Sequence, residues 1–132
     1  MTRVIVVDRD PALAAARAAE LHSAGYDVEL CGGPETQPCA ILGDRPCPLA
    51  DRADVLVYDA WAGGDREGSR QLIGHLRDVY VDLPVVLTSV DGSVDWVETE
   101  GTARVTPLGP QPTVEQLVGA IESALADQGM AV

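Results

Sequence analysis

An α/β domain, with a parallel sheet covered by helices on both faces, is the fold class this sequence predicts. Three observations carry that expectation. Apolar runs of strand length at residues 4–7, 53–59 and 83–89 alternate with stretches of helical periodicity. These runs show little polar alternation, as strands buried on both faces require. Acids or hydroxyls (Asp8, Asp59, Thr88 and Ser89) stand at their carboxyl ends, where open α/β sheets place their sites.

The elements follow in order. Residues 4–7 form a continuous apolar strand, and Asp10 is placed to cap a helix that begins at Pro11. Ala14, Ala18 and Leu21 recur at helical spacing, and Gly25 is a natural stop. "YDVELC" at 26–31 reads as a second strand. Residues 32–52 are rich in Gly, Pro and Cys and carry little helical pattern. "ADVLVYD" at 53–59 is the third strand.

Leu72, Ile73, Leu76 and Tyr80 then share one helical face, followed by "LPVVLTS" at 83–89 as the fourth strand. "DGSVDWVETEG" has room for a short helix, and "ARVTP" at 103–107 is a short fifth strand. Thr113 and Gln116 match a capping box before a last helix lined by Val114, Leu117, Val118, Ile121 and Leu125. Right-handed crossovers leave few ways to wind five such strands. The expected result is a flavodoxin-like three-layer sandwich with strand order 2-1-3-4-5, one domain over residues 1–132.

Composition narrows the function. The 132 residues carry a net charge of −12, which opposes nucleic acid and anionic membranes as partners. All nine basic residues are arginine, so chemistry that needs a lysine ammonium is excluded. No apolar run has the length of a membrane span, and "MTRVIVV" lacks a signal-peptide cleavage site. A cytoplasmic location is the expectation.

Carboxylates clustered beside hydroxyls suit a hard cation and a phosphoryl group. An Asp there can act as nucleophile and become an acyl phosphate. Here the sequence resembles the response-regulator receiver domains (CheY-like) of two-component and phosphorelay signalling, over nearly its whole length. "VIVVDRDP" is similar to the first-strand segment whose adjacent acids help to bind magnesium, and "DVLVYD" is similar to the third strand. The resemblance implies Asp59 as phosphoacceptor and the Trp61 carbonyl as a backbone metal ligand, beside Asp8 and Asp10. "LPVVLTS" implies Ser89 as the hydroxyl switch, with Thr88 its neighbour. "PTVEQLVGAIESAL" resembles the last helix.

The chain departs from that pattern in four places. Arg9 stands at the second acid of the pair, and the lysine expected after the fifth strand is replaced by Leu108, Gly109 or Pro110. The switch aromatic of that strand corresponds to Val105 or a neighbour. The second helix gives way to the segment 32–52. A guanidinium about 4 Å from a carboxylate gains roughly 4 kcal/mol at an effective dielectric near 20. Arg9 turned inward would take the cation's place and hold Asp59 ionised. Turned outward, it would leave Asp10 to supply a substitute ligand.

The expectation is therefore a stand-alone pseudo-receiver acting through contacts with a kinase or output protein. Magnesium binding would be weak, and any activity limited to weak self-phosphorylation or dephosphorylation at Asp59. The resemblance implies a partner or homodimer surface over residues 91–126, where Trp96 is either an anchor or a cover for the sheet's flank.

Alternatives stay open. One is a genuine magnesium-dependent phosphoacceptor at Asp59. Another is a cysteine-based metal or redox sensor, because Cys31, Cys39 and Cys47 fall at eight-residue steps. Three thiols without a CxxC pair are an incomplete metal site, and reduced thiols packing a loop are the simpler reading. "VVDRDPA" also fits the DxD start of haloacid-dehalogenase-type phosphatases, for which the chain is short. "GGD" at 63–65 reads as a turn. His22 and His75 read as solvent-facing, and the acids near Asp95, Glu98 and Glu100 as a solvated face.

Overall fold

The computed structural model describes residues 2–8, 10–31, 45–59, 74–76, 79–80, 83–88, 105–108 and 112–130. Five strands form one parallel sheet: β1 (Arg3–Val7), β2 (Asp27–Cys31), β3 (Val55–Asp59), β4 (Val85–Thr88) and β5 (Val105–Pro107). Their spatial order is β2-β1-β3-β4-β5, the order expected from the alternating pattern. The described helices are α1 (Pro11–Ser23), α2 (Pro48–Arg52) and α3 (Val114–Met130). Residues 74–76 are also helical.

Two apolar clusters lie on opposite faces of the sheet, so the three layers follow from side-chain alternation. Val4, Val6, Val55, Val57 and Val86 pack against Ala14 and Leu21 of α1 and against Leu117 and Ile121 of α3. Ile5, Val7, Leu56, Tyr58, Val85 and Leu87 face the other way, toward Ala50 of α2, Leu76 and Leu83. The register sets Val6 beside Val57 and Val57 beside Val86, so each face is built of straight cross-strand rows.

Local signals act where the sequence puts them. The Asp10 carboxylate accepts from the backbone N–H groups of Ala12 (3.0 Å) and Leu13 (3.3 Å). At the other end of α1, Gly25 takes φ +102°, Gly25 N–H donates to His22 O (3.0 Å) and Tyr26 N–H to Leu21 O (3.2 Å). These two bonds are the Schellman closure, which a left-handed glycine permits at no steric cost. The capping box of α3 closes in both directions: Gln116 N–H donates to Thr113 Oγ1 (3.2 Å), and Thr113 N–H to Gln116 Oε1 (2.9 Å).

The segment 32–52 ends in a single helical turn, α2, with Pro48 in its first turn. The Tyr80 hydroxyl fixes this turn: it accepts from Cys47 N–H (2.9 Å) and lies against the Cys47 carbonyl and the Asp51 carboxylate. At the sheet's edge Arg3 pairs with Asp27 (2.6 Å) and Glu29 (3.4 Å), and Arg52 pairs with Glu29 (2.8 Å). These half-exposed pairs fix where β2 and α2 lie more than they add to stability. Residues 32–44, Leu72, Ile73 and all of 89–104, including Trp96, lie outside the described residues.

The capping geometry has a measurable consequence. Asp10→Ala should cost about 1 kcal/mol of unfolding free energy in urea, and Asp10→Ser a few tenths at most. An equal loss in both variants would show that the Asp10 carboxylate does something other than cap α1.

Candidate functional site

The rows of the sheet's α1 face change character at their carboxyl end. Val4 and Val6 continue into Asp8, Val55 and Val57 into Asp59, and Val86 into Thr88. The register pairs Asp59 with Thr88, and the pairing of Val7 with Tyr58 sets Asp8 alongside Asp59. A layer of valines is thus succeeded by a layer of two acids and a hydroxyl. It is not open to water: Asp8 is 3% exposed, Asp59 6% and Thr88 0%.

The residue covering this polar layer is Arg17 of α1, itself 4% exposed. Its Nη1 donates to Asp8 Oδ2 at 3.2 Å and to Thr88 Oγ1 at 3.0 Å. One guanidinium nitrogen therefore ties the first helix to the ends of the first and fourth strands. The placement follows from helix geometry. The buried positions of α1 are Ala14, Arg17 and Leu21, spaced three and four apart on one stripe. Ala18, expected on that stripe, is only half-buried. The small side chain of Ala14, one turn earlier, lies on the same buried stripe.

Asp8 is engaged at both oxygens, because its Oδ1 accepts from Asp10 N–H at 2.9 Å. Burial pushes its carboxyl above the ordinary carboxylate range, and the neighbouring Asp59 charge pushes the same way. The Asp10 N–H and the Arg17 guanidinium pull it back without cancelling the shift. Asp59 is less well provided for: its Oδ1 is buried and finds no hydrogen-bond partner among the described residues. Such an atom costs on the order of 1–3 kcal/mol unless something is bound to it.

The expected site residues divide accordingly. Asp8, Asp59 and Thr88 come together. Asp10 lies next to them in sequence, exposed, with its Oδ1 capping α1. Arg9, Trp61 and Ser89 lie outside the described residues. Arg17, which sequence reasoning does not single out, is the described cation against Asp8 and Thr88. Of the thiols, Cys31 and Cys47 both pack against the α2-side core and are not joined as a disulfide, while Cys39 lies outside the described residues. His22 is exposed and His75 half-buried.

A divalent oxygen-seeking cation fits this donor set poorly. Magnesium demands near-octahedral oxygen coordination. It would meet one uncommitted Asp59 oxygen, an Asp8 whose two oxygens are already bonded, and a positive charge held against Asp8. Among the described residues, no three His, Cys, Asp or Glu side chains are grouped to hold a metal. What the described arrangement does chemically is pair one of its two buried acids, Asp8, with a buried guanidinium.

The Asp8 shift sets a pH dependence. A carboxyl whose folded pKa lies above its unfolded value near 3.8 binds more protons in the folded state. Its contribution to stability is therefore present in full below 3.8 and is lost as pH rises through the folded value. Urea titrations from acid to neutral pH should show wild type losing stability relative to Asp8→Asn across that window. A constant or rising difference would contradict the burial argument.

No family model matches the sequence, and no curated protein matches it. Solved structures do. A response regulator receiver domain protein from Clostridium thermocellum superposes with TM-score 0.76 at 14% identity, covering 100% of both chains. A CheY-like receiver domain protein from Methanospirillum hungatei JF-1 gives TM-score 0.77 at 14% identity, covering 100% of this chain and 99% of the other. The Vibrio cholerae chemotaxis protein CheY4 gives 0.70 at 19% identity, covering 95% and 99%. The chain therefore has the CheY-like fold of response-regulator receiver domains.

Proposed function

We propose that this protein is a receiver-type signalling module that works without a stable phosphoryl group, as a pseudo-receiver whose output is contact with a protein partner. One observation carries the reading: a buried guanidinium already satisfies Asp8 and Thr88. A phosphoryl group gains from a receiver pocket because its charge is neutralised there by cations. In this pocket the described cation is bonded to a carboxylate, and the sequence contains no lysine to add another. Partners would be a kinase or an output protein of a two-component pathway, in keeping with the fold. None of the described helices is long and apolar enough to cross a membrane.

A second reading has its own support. The Asp59 Oδ1 is a buried oxygen with no hydrogen-bond partner among the described residues, as a phosphoacceptor nucleophile would present. Under that reading Arg17 would leave Asp8 and turn to the phosphoryl oxygens.

Intact mass spectrometry separates the two. The protein is incubated with magnesium and phosphoramidate beside a receiver that has the complete acid pair and lysine. No phosphoryl increment on this chain, under conditions that load the control, is the expected outcome. A near-stoichiometric increment that requires magnesium and disappears in Asp59→Asn would overturn the pseudo-receiver reading in favour of the second.

A further inference from the structure

We infer that the outer edge of β2 is a docking surface for a second copy of this chain, whose own β2 adds antiparallel to continue the sheet. The surface is separate from the acidic pocket and from residues 91–126, so the inference can fail without touching the reading above.

Backbone geometry defines the edge. β2 has β1 on one side and no described strand on the other. Asp27 N–H donates to Thr2 O at 3.0 Å, and Cys31 O accepts from Asp8 N–H at 3.1 Å. Asp27, Glu29 and Cys31 therefore turn their backbone groups toward β1, and alternation turns those of Val28 and Leu30 outward. The same two residues bring apolar surface. Leu30 is 47% exposed, and with Leu13 it is one of two large apolar side chains exposed among the described residues. Val28, on the same face, is half-buried against the α1-side core.

A two-fold axis at Glu29 sets Val28 of one copy opposite Leu30 of the other, once on each side of the axis. Each such pair exchanges two backbone hydrogen bonds and lays leucine against valine. The contact is isologous and closes after two copies.

Charge complementarity selects a second copy as the occupant. Chains of net charge −12 repel at long range, so they can meet only where acids carry their own counter-ions. On the α2 face of β2, Arg3 pairs with Asp27 (2.6 Å) and Glu29 (3.4 Å), and Arg52 pairs with Glu29 (2.8 Å). The axis brings Glu29 against Glu29, which bare carboxylates would oppose. Here each arrives with two guanidinium groups. Edge strands that avoid pairing are commonly blunted by lysine, proline or unpaired charge. "DVELC" has no lysine or proline, and both its acids are paired.

Sedimentation velocity from micromolar to millimolar chain, at about 0.15 M salt to screen the net repulsion, measures the association. The strand pair is short, so a weak dimer of the transient class is expected. Residue-resolved hydrogen exchange over the same range should show the Val28 and Leu30 amides gaining protection as the dimer forms. Glu29, bonded to β1 in either state, is the internal reference. Leu30→Pro removes an outward N–H and no bond to β1, a change edge strands tolerate. It should weaken the dimer by about tenfold or more. Leu30→Lys should weaken it as well, and carries the test if the proline variant does not fold. Leu30→Val keeps the donor and the apolar contact and should dimerise like wild type. A chain that stays monomeric throughout overturns the inference, as does growth past the dimer. A dimer that forms equally well in Leu30→Pro and Leu30→Lys, or without protection at Val28 and Leu30, also overturns it by placing the contact elsewhere.

Discussion

The bond from Arg17 to Asp8 and Thr88 is the constraint on which the rest of the site depends. Three strands end in polar residues beneath the first helix, and without a cation that layer would bury two carboxylates with nothing to balance them. Removing one partner of a buried ion pair costs about 3–5 kcal/mol, because the survivor is left buried and uncompensated. Replacing both by apolar groups of similar volume is often neutral. The pair therefore explains why the pocket tolerates its own acids, and it is a weak reason for the domain to be stable. Stability comes from the valine rows and from Leu21, Leu117 and Ile121, each fully buried.

The same bond decides which element feels the pocket. Arg17 belongs to α1 and reaches β4 through Thr88, so a change of charge at Asp8 acts directly on that helix. α1 is held firmly at its ends, by the Asp10 cap and by the Schellman closure at Gly25. Between those ends its register over the sheet is fixed by Ala14 and Leu21, with Arg17 between them. A helix pinned in this way keeps its guanidinium in one place, as a permanent counter-ion must be kept.

Much of this was legible in the sequence. Strand order follows from buried apolar runs separated by helical stretches, and the structure has it as expected. Asp10, Gly25 and the pair Thr113 and Gln116 mark helix ends through local chemistry that tertiary packing does not override. Asp8, Asp59 and Thr88 were legible because strand ends converge in this architecture. Arg17 was not, because a lone arginine in an alanine-rich helix reads as a solvated charge. The one signal was positional: it falls three residues after Ala14 and four before Leu21, on the stripe that must face the sheet. The sequence reading places the pocket cation at Arg9, which lies outside the described residues. Asp10 had two roles open to it, and its Oδ1 caps the helix N-terminus.

The most direct test of a resident counter-ion is a double-mutant cycle on the pair itself. Unfolding free energies at neutral pH are needed for wild type, Asp8→Asn, Arg17→Met and the double variant. An ion pair buried as described should give a coupling energy of about 2 kcal/mol, the double variant being more stable than the sum of the single losses implies. Additivity within about 0.5 kcal/mol would mean that the guanidinium does not sit on Asp8 in solution. The pocket would then lack the resident counter-ion on Asp8.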